Sequence, residues 1–153
     1  GKLTCAAHHL SRDYLRMKFL LVALAVLVVV QCKYMDKCAV YKLAQKYWDN
    51  ELAATMTCIA FYESSWNTKA INHNTNGSTD FGLYQVNDKY WCEDSKYPTG
   101  DCHMTCDQMY DATSATQCAK TVYNEQGLTA WYGYQGHKST CDNYYKNSIK
   151  GQC

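Results

Sequence analysis

Beyond residue 32 the chain has no arginine and a single proline, Pro98. Thirteen scattered carboxylates face eleven lysines over that stretch, a net charge of −2. A nucleic-acid binder normally gathers Lys and Arg on one face, so that class is excluded. The same balance removes the strong attraction to anionic envelopes that a basic protein has. No Cys-x-x-Cys pair occurs, and the nearest spacing, Cys102 to Cys106, argues against a zinc site. No internal repeat, low-complexity tract or linker divides the chain, and one domain is expected.

A membrane-spanning run is missing as well. The longest apolar stretch, FLLVALAVLVVV at 19–30, falls short of the ~20 residues that cross a bilayer. Met17-Lys18 precede it, and Gln31-Cys32 and polar sequence follow. This is the pattern of a secretory signal peptide at 17–32, cleaved after Cys32, rather than of an anchor. Residues 1–16 precede the expected initiator Met17 and read as upstream extension without a function. The working domain is then 33–153, secreted and extracellular, and long enough to bury roughly two thirds of its unfolded surface.

Cysteine is what this domain has. Eight occur: Cys38, Cys58, Cys92, Cys102, Cys106, Cys118, Cys141 and Cys153. An even number in a small exported domain reads as a disulfide framework, with the pairing left open. Cys38 and Cys153, near the two ends, suggest that the ends are tied together.

Apolar spacing predicts a helix over 36–47, started by Asp36, and a second over 51–63. A polar linker follows. Asn76-Gly77 is a hairpin signal, predicting a type I′ turn and then a strand over 78–81. Residues 88–106 read as loop. A third helix is expected over 111–123 with Asp111 as its cap, then a short helical or turn segment at 128–132. Helices around one hairpin give an α+β class.

Two carboxylates stand out. In the second helix Leu52, Met56, Ile59 and Glu63 fall at i, i+4, i+7 and i+11. Glu63 therefore lies about 20° from Leu52 on the wheel and continues an apolar stripe. Desolvation there would raise its pKa, as a general acid requires. Asp80 is expected on the polar side of the strand, opposite Phe81 and Leu83, and ionised. A protonated acid beside an ionised carboxylate is what glycoside hydrolysis needs. For an isolated Asp near a turn, backbone hydrogen bonding is the commoner role. Amides and rings that suit sugars crowd near Asp80: Asn72, Asn74, Gln85, Asn87, Tyr90 and Trp91. Core packing is the competing role for Trp91 and Trp131. His73, His103 and His137 show no nucleophile or metal pattern and are expected at the surface.

The motifs FYESSWNT around Glu63, NHNTNGSTDFGLYQVNDKYWC at 72–92, CHMTC at 102–106, CAK at 118–120 and AWYG at 130–133 carry a family resemblance. With the order of the eight cysteines, they make 33–153 similar to the C-type (chicken-type) lysozymes, in an insect-like form. The resemblance implies a helical lobe and a small antiparallel β lobe with a cleft between them. It implies the pairs Cys38–Cys153, Cys58–Cys141, Cys92–Cys106 and Cys102–Cys118. It casts Glu63 as the acid, Asp80 as nucleophile or charge stabiliser, and Trp131 as the ring against the acid. Asn74, Gln85, Asn87, Tyr90, Trp91 and Ala130 fall on substrate-groove positions. The implied activity is retaining hydrolysis of 1,4-β linkages in bacterial peptidoglycan, antibacterial or digestive. No cofactor, metal, nucleic acid or stable membrane insertion is implied, and a monomer is expected. The raised acid pKa and the two-carboxylate reaction are this family's known chemistry.

Departures qualify the match. Tyr90 stands where many relatives carry Trp. The interval from Cys118 to Trp131 is short, so the outer-groove aspartate is not carried onto Asn124. Extra residues within YQGHKST, 134–140, are expected to lengthen a loop. Residues 107–117 hold only Asp107 and Asp111, so the acidic cluster of calcium-binding relatives is missing. Asn76-Gly77-Ser78 is a formal glycosylation sequon on a tight turn, where attachment would be hindered. The alternative is a non-catalytic glycan-binding protein on the same scaffold, but both acids are present. The absence of arginine and the charge of −2 suit a digestive enzyme better than a basic defensive one.

Overall fold

The computed structural model describes residues 33–153, so the expected signal peptide and the extension before it lie outside the described residues. Four α-helices, α1 (Lys37–Ala44), α2 (Asn50–Ser64), α3 (Ala112–Gln126) and α4 (Tyr132–Asp142), make up most of the regular secondary structure. A small antiparallel sheet of β1 (Ile71–His73), β2 (Thr79–Phe81) and β3 (Val86–Asn87), in that order, makes a second lobe. Short 3₁₀ turns occupy Cys106–Tyr110 and Leu128–Ala130, and a π turn occupies Tyr145–Ile149. The α+β architecture follows the expectation.

Aspartates start three helices, each accepting an orphan N–H of the first turn. Asp36 takes Ala39 N–H, Asp49 takes Leu52 N–H and Asp111 takes Ser114 N–H. α1 ends at Ala44 rather than 47, and α3 runs on to Gln126.

The apolar stripe expected on α2 is not a stripe. Every residue from Ala53 to Ala60 is buried, so the helix is apolar all round and threads the core. Its threonines tolerate this because Thr57 Oγ1 donates to Ala53 O at 2.7 Å, and Thr55 Oγ1 to Glu51 O at 3.1 Å. Burial ends near Phe61, and Glu63 is only partly covered because α2 emerges from the core there. Ser65, left-handed at φ 54°, stops the helix. Ser64 Oγ then bonds Leu83 O at 2.8 Å, fastening the helix end to the β lobe.

Three further expectations change. The polar linker contains β1, whose residues are all exposed and become a strand by pairing with β2. Asn76-Gly77 is not a type I′ turn, because Gly77 has φ 83° but Asn76 is not left-handed. Gly77 N–H bonds Asn74 O and Asn74 N–H bonds Ser78 O, closing a three-residue loop with glycine at its left-handed position. The segment 134–140 is no loop: it lies within α4, which bends at His137 (φ −132°, ψ 27°).

The disulfides pair as Cys38–Cys153, Cys58–Cys141, Cys92–Cys106 and Cys102–Cys118, and no described cysteine is free. The first ties the two ends of the domain together. Among the described residues no helix is long and apolar enough to cross a membrane.

Candidate active site

Sheet register builds one side of the site. Asn72 on β1 and Asn87 on β3 are the cross-strand partners of Asp80 on β2, so the three side chains share a face. Asn87 Nδ2 donates to Asp80 Oδ1 at 2.6 Å, and Asn74 Nδ2 to Oδ2 at 2.9 Å. Asn72 Nδ2 stands 3.4 Å from the same Oδ2 and donates to Asn74 Oδ1 at 2.9 Å. Behind this rank sits Ser78, buried, its hydroxyl accepting from Asn74 and Asn87 and donating to Asn76 Oδ1 at 2.7 Å. Amide donors thus converge on Asp80, an environment suited to an acceptor-only carboxylate.

The other side belongs to the helical lobe. Glu63 takes the backbone N–H of Gly133 on Oε1 at 2.8 Å. Gly133 is the second residue of α4, so this donor is one of the orphan groups of a helix amino end. Contact is close: a Cβ at Gly133 would lie 2.9 Å from both Glu63 Oε1 and Tyr62 Cβ. Burial raises the Glu63 pKa above its ordinary value, the Gly133 bond partly offsets it, and the negative charge of Asp80 adds to the rise.

Glu63 and Asp80 line one cleft of about 940 Å³, within the range of small-molecule sites. Asn74, Gln85, Asn87, Tyr90, Trp91, Ala130 and Trp131 line it as well, so the structure brings together every residue singled out for the groove. Trp131 is also core: it is buried, and its Nε1 donates to Tyr84 O at 3.0 Å. Trp91 is buried too, whereas Tyr90 is 55% exposed. Asn74 and Asn87 hold Asp80, and Gln85, left-handed at φ 49°, donates from Nε2 to Gly82 O at 3.0 Å. His73, His103 and His137 are exposed as expected.

Sequence reasoning missed Gly133, Ser78 and Tyr132. Gly133 acts through a backbone N–H, which has no side-chain signature. Ser78 was visible as the first residue of the expected strand and the end of the sequon, without a role in supporting Asp80. Tyr132, 85% exposed on the cleft, sits inside the AWYG motif without a pattern of its own. Among the described residues no group of three or more His, Cys, Asp or Glu could hold a metal ion. The cleft presents a carboxyl group of raised pKa from one wall and a hydrogen-bonded carboxylate from the other, between amides and rings that suit a saccharide.

Residues 29–150 match the model of the C-type lysozyme/alpha-lactalbumin family. A lysozyme of Bombyx mori is 37% identical over 124 residues, covering 78% of this chain and 90% of that protein. Lysozyme c-1 of Anopheles gambiae is 38% identical, covering 77% and 86%. Among solved structures, a lysozyme from Litopenaeus vannamei superposes with a TM-score of 0.61 at 33% identity, covering 78% of this chain and 90% of that one.

Proposed function

The chain belongs to the C-type lysozyme/alpha-lactalbumin family and is a lysozyme, a glycoside hydrolase, and from that membership we propose that Glu63 and Asp80 carry its reaction on peptidoglycan glycan strands. The observation behind this reading is that the two carboxylates line one cleft from different lobes in unlike surroundings. Glu63, whose pKa burial raises, gives a proton to the glycosidic oxygen as the bond to the sugar carbon breaks. Asp80 meets the positive charge at that carbon, either by bonding to it or by stabilising it. Glu63, now ionised, takes a proton from a water, which attacks the same carbon and releases Asp80 with configuration retained. Asn74, Gln85, Asn87, Tyr90, Trp91, Ala130 and Trp131 are proposed to seat the sugars, with Tyr90 offering its exposed ring. Secretion after loss of 17–32 and action as a monomer belong to the same proposal.

Clearing of a bacterial cell-wall suspension tests it. Glu63→Gln is expected to abolish clearing while the far-UV circular dichroism and the four disulfides are kept. Full activity in that variant would remove Glu63 from the reaction. Retained binding to cell walls by the wild type without any clearing would instead favour a glycan-binding protein.

A further inference from the structure

α2 and α4 meet in a ladder. Cys58 bonds Cys141, and one turn further along each helix Tyr62 meets His137, the pattern of antiparallel neighbours. The two rings lie face to face, centroids 3.6 Å apart and planes within 6°. One turn beyond His137, Gly133 reaches Glu63. His137 also departs from helical backbone, so α4 bends where its ring stacks. The disulfide fixes the far end of α4, and Thr55 Oγ1 on Cys141 O at 3.2 Å reinforces it. Between that anchor and the first turn, α4 is held by the buried Tyr134 and by the stack, and the stack is the contact made at Tyr62, next to Glu63 in α2.

We propose that the stack of His137 on Tyr62 holds the amino end of α4 against Glu63, which makes His137 a positioning residue for the general acid. It acts through the backbone N–H of Gly133 and touches neither the cleft nor the reacting atoms. The ionisable groups around the stack are Tyr62 and the nearby Tyr144, with Lys138, Asp142 and the buried Tyr134 of α4 paired among themselves. Glu63 itself faces Asp80 across the cleft and the Gly133 N–H from α4.

The inference rests on Glu63 being the acid, but its test does not need activity. The Glu63 carboxyl carbon is titrated by NMR in the wild type, His137→Ala and His137→Phe. Loss of the stack lengthens the Gly133 bond, which favours the ionised form, so His137→Ala is expected to raise the Glu63 pKa by about half a unit or more. The flat ring of His137→Phe keeps the wild-type value. The alkaline limb of kcat/KM should move up with it while KM stays put. No shift in His137→Ala, a downward shift, or an equal shift in His137→Phe overturns the proposal. If His137→Ala does not fold, Tyr62→Leu removes the stack from the other side and is read the same way. Failure of both to fold would make the stack a folding contact and overturn the proposal equally. Activity surviving in Glu63→Gln would instead overturn the acid assignment and leave this titration standing.

Discussion

Asn87 reaches across the sheet to Asp80, its Nδ2 2.6 Å from Oδ1, and the two residues are direct cross-strand partners. The carboxylate is therefore aimed by the same register that pairs β2 with β3. Asn74 and Ser78 complete the support from the hairpin loop, and the sequon residues Asn76 and Ser78 line the same cleft.

Removing that amide should be felt in catalysis more than in binding. A hydrogen bond to a charged group is worth about 1.5–3 kcal/mol. Asn74 stays on the other oxygen, so part of the aim survives. Asn87→Ala is expected to lower kcat about tenfold and to change KM less. Steady-state kinetics on a soluble chito-oligosaccharide check this, and an unchanged kcat would mean that Asp80 needs no aiming.

Glu63 links chemistry to stability. Its pKa is raised in the folded protein by burial, so between the unfolded and folded values the folded state binds more protons. The contribution of this group to stability is thus full at acid pH and is lost as pH rises through the folded value. Glu63→Gln escapes that loss. Its melting temperature should exceed the wild type's by a few degrees near neutral pH, and the gap should close in acid. Calorimetry across pH reads it, and a gap that widens in acid would reverse the sign.

How much of this was written in the chain varies by element. Asp36 and Asp111 were legible as caps because a cap is a local device. The run around Glu63 was legible as apolar, although its burial comes from a helix surrounded on all sides. β1 was not legible: Ile71, Asn72 and His73 are all exposed, and only the partner strand makes them a strand. α4 was hidden by Gly133, Gly136, Ser139 and Thr140, poor helix formers that are held by the Cys58–Cys141 bond and the ring stack. The pairing of the cysteines came from family resemblance, since their number alone permits many frameworks.

Gly82 carries a requirement that the packing makes severe. It has φ 71°, and a Cβ there would stand 1.9 Å from the backbone oxygen of Met109. The turn it begins carries Tyr84, whose carbonyl receives Trp131, and Gln85 on the cleft. Strain and overlap together put the cost of Gly82→Ala at about 2–5 kcal/mol. Denaturant unfolding should show that loss, with activity per folded molecule also reduced. A variant as stable as the wild type would mean that the Cys106–Tyr110 turn yields freely.

Charge gives the last expectation. A domain with eleven lysines, thirteen carboxylates and no arginine gains no attraction to an anionic wall at neutral pH. Raising salt from about 0.01 to about 0.1 M shortens the Debye length from about 30 to about 10 Å. At neutral pH this should leave wall clearing level or slightly faster, because the charge being screened is weakly repulsive. In acid the exposed carboxylates protonate while the lysines stay charged, so the domain turns positive and the wall begins to attract it. Salt should then slow clearing, and the salt dependence should change sign between neutral and acid pH. A steep fall with salt at neutral pH would show that a local cluster of lysines, rather than net charge, governs the encounter. It would also count against the digestive reading that the missing arginines support.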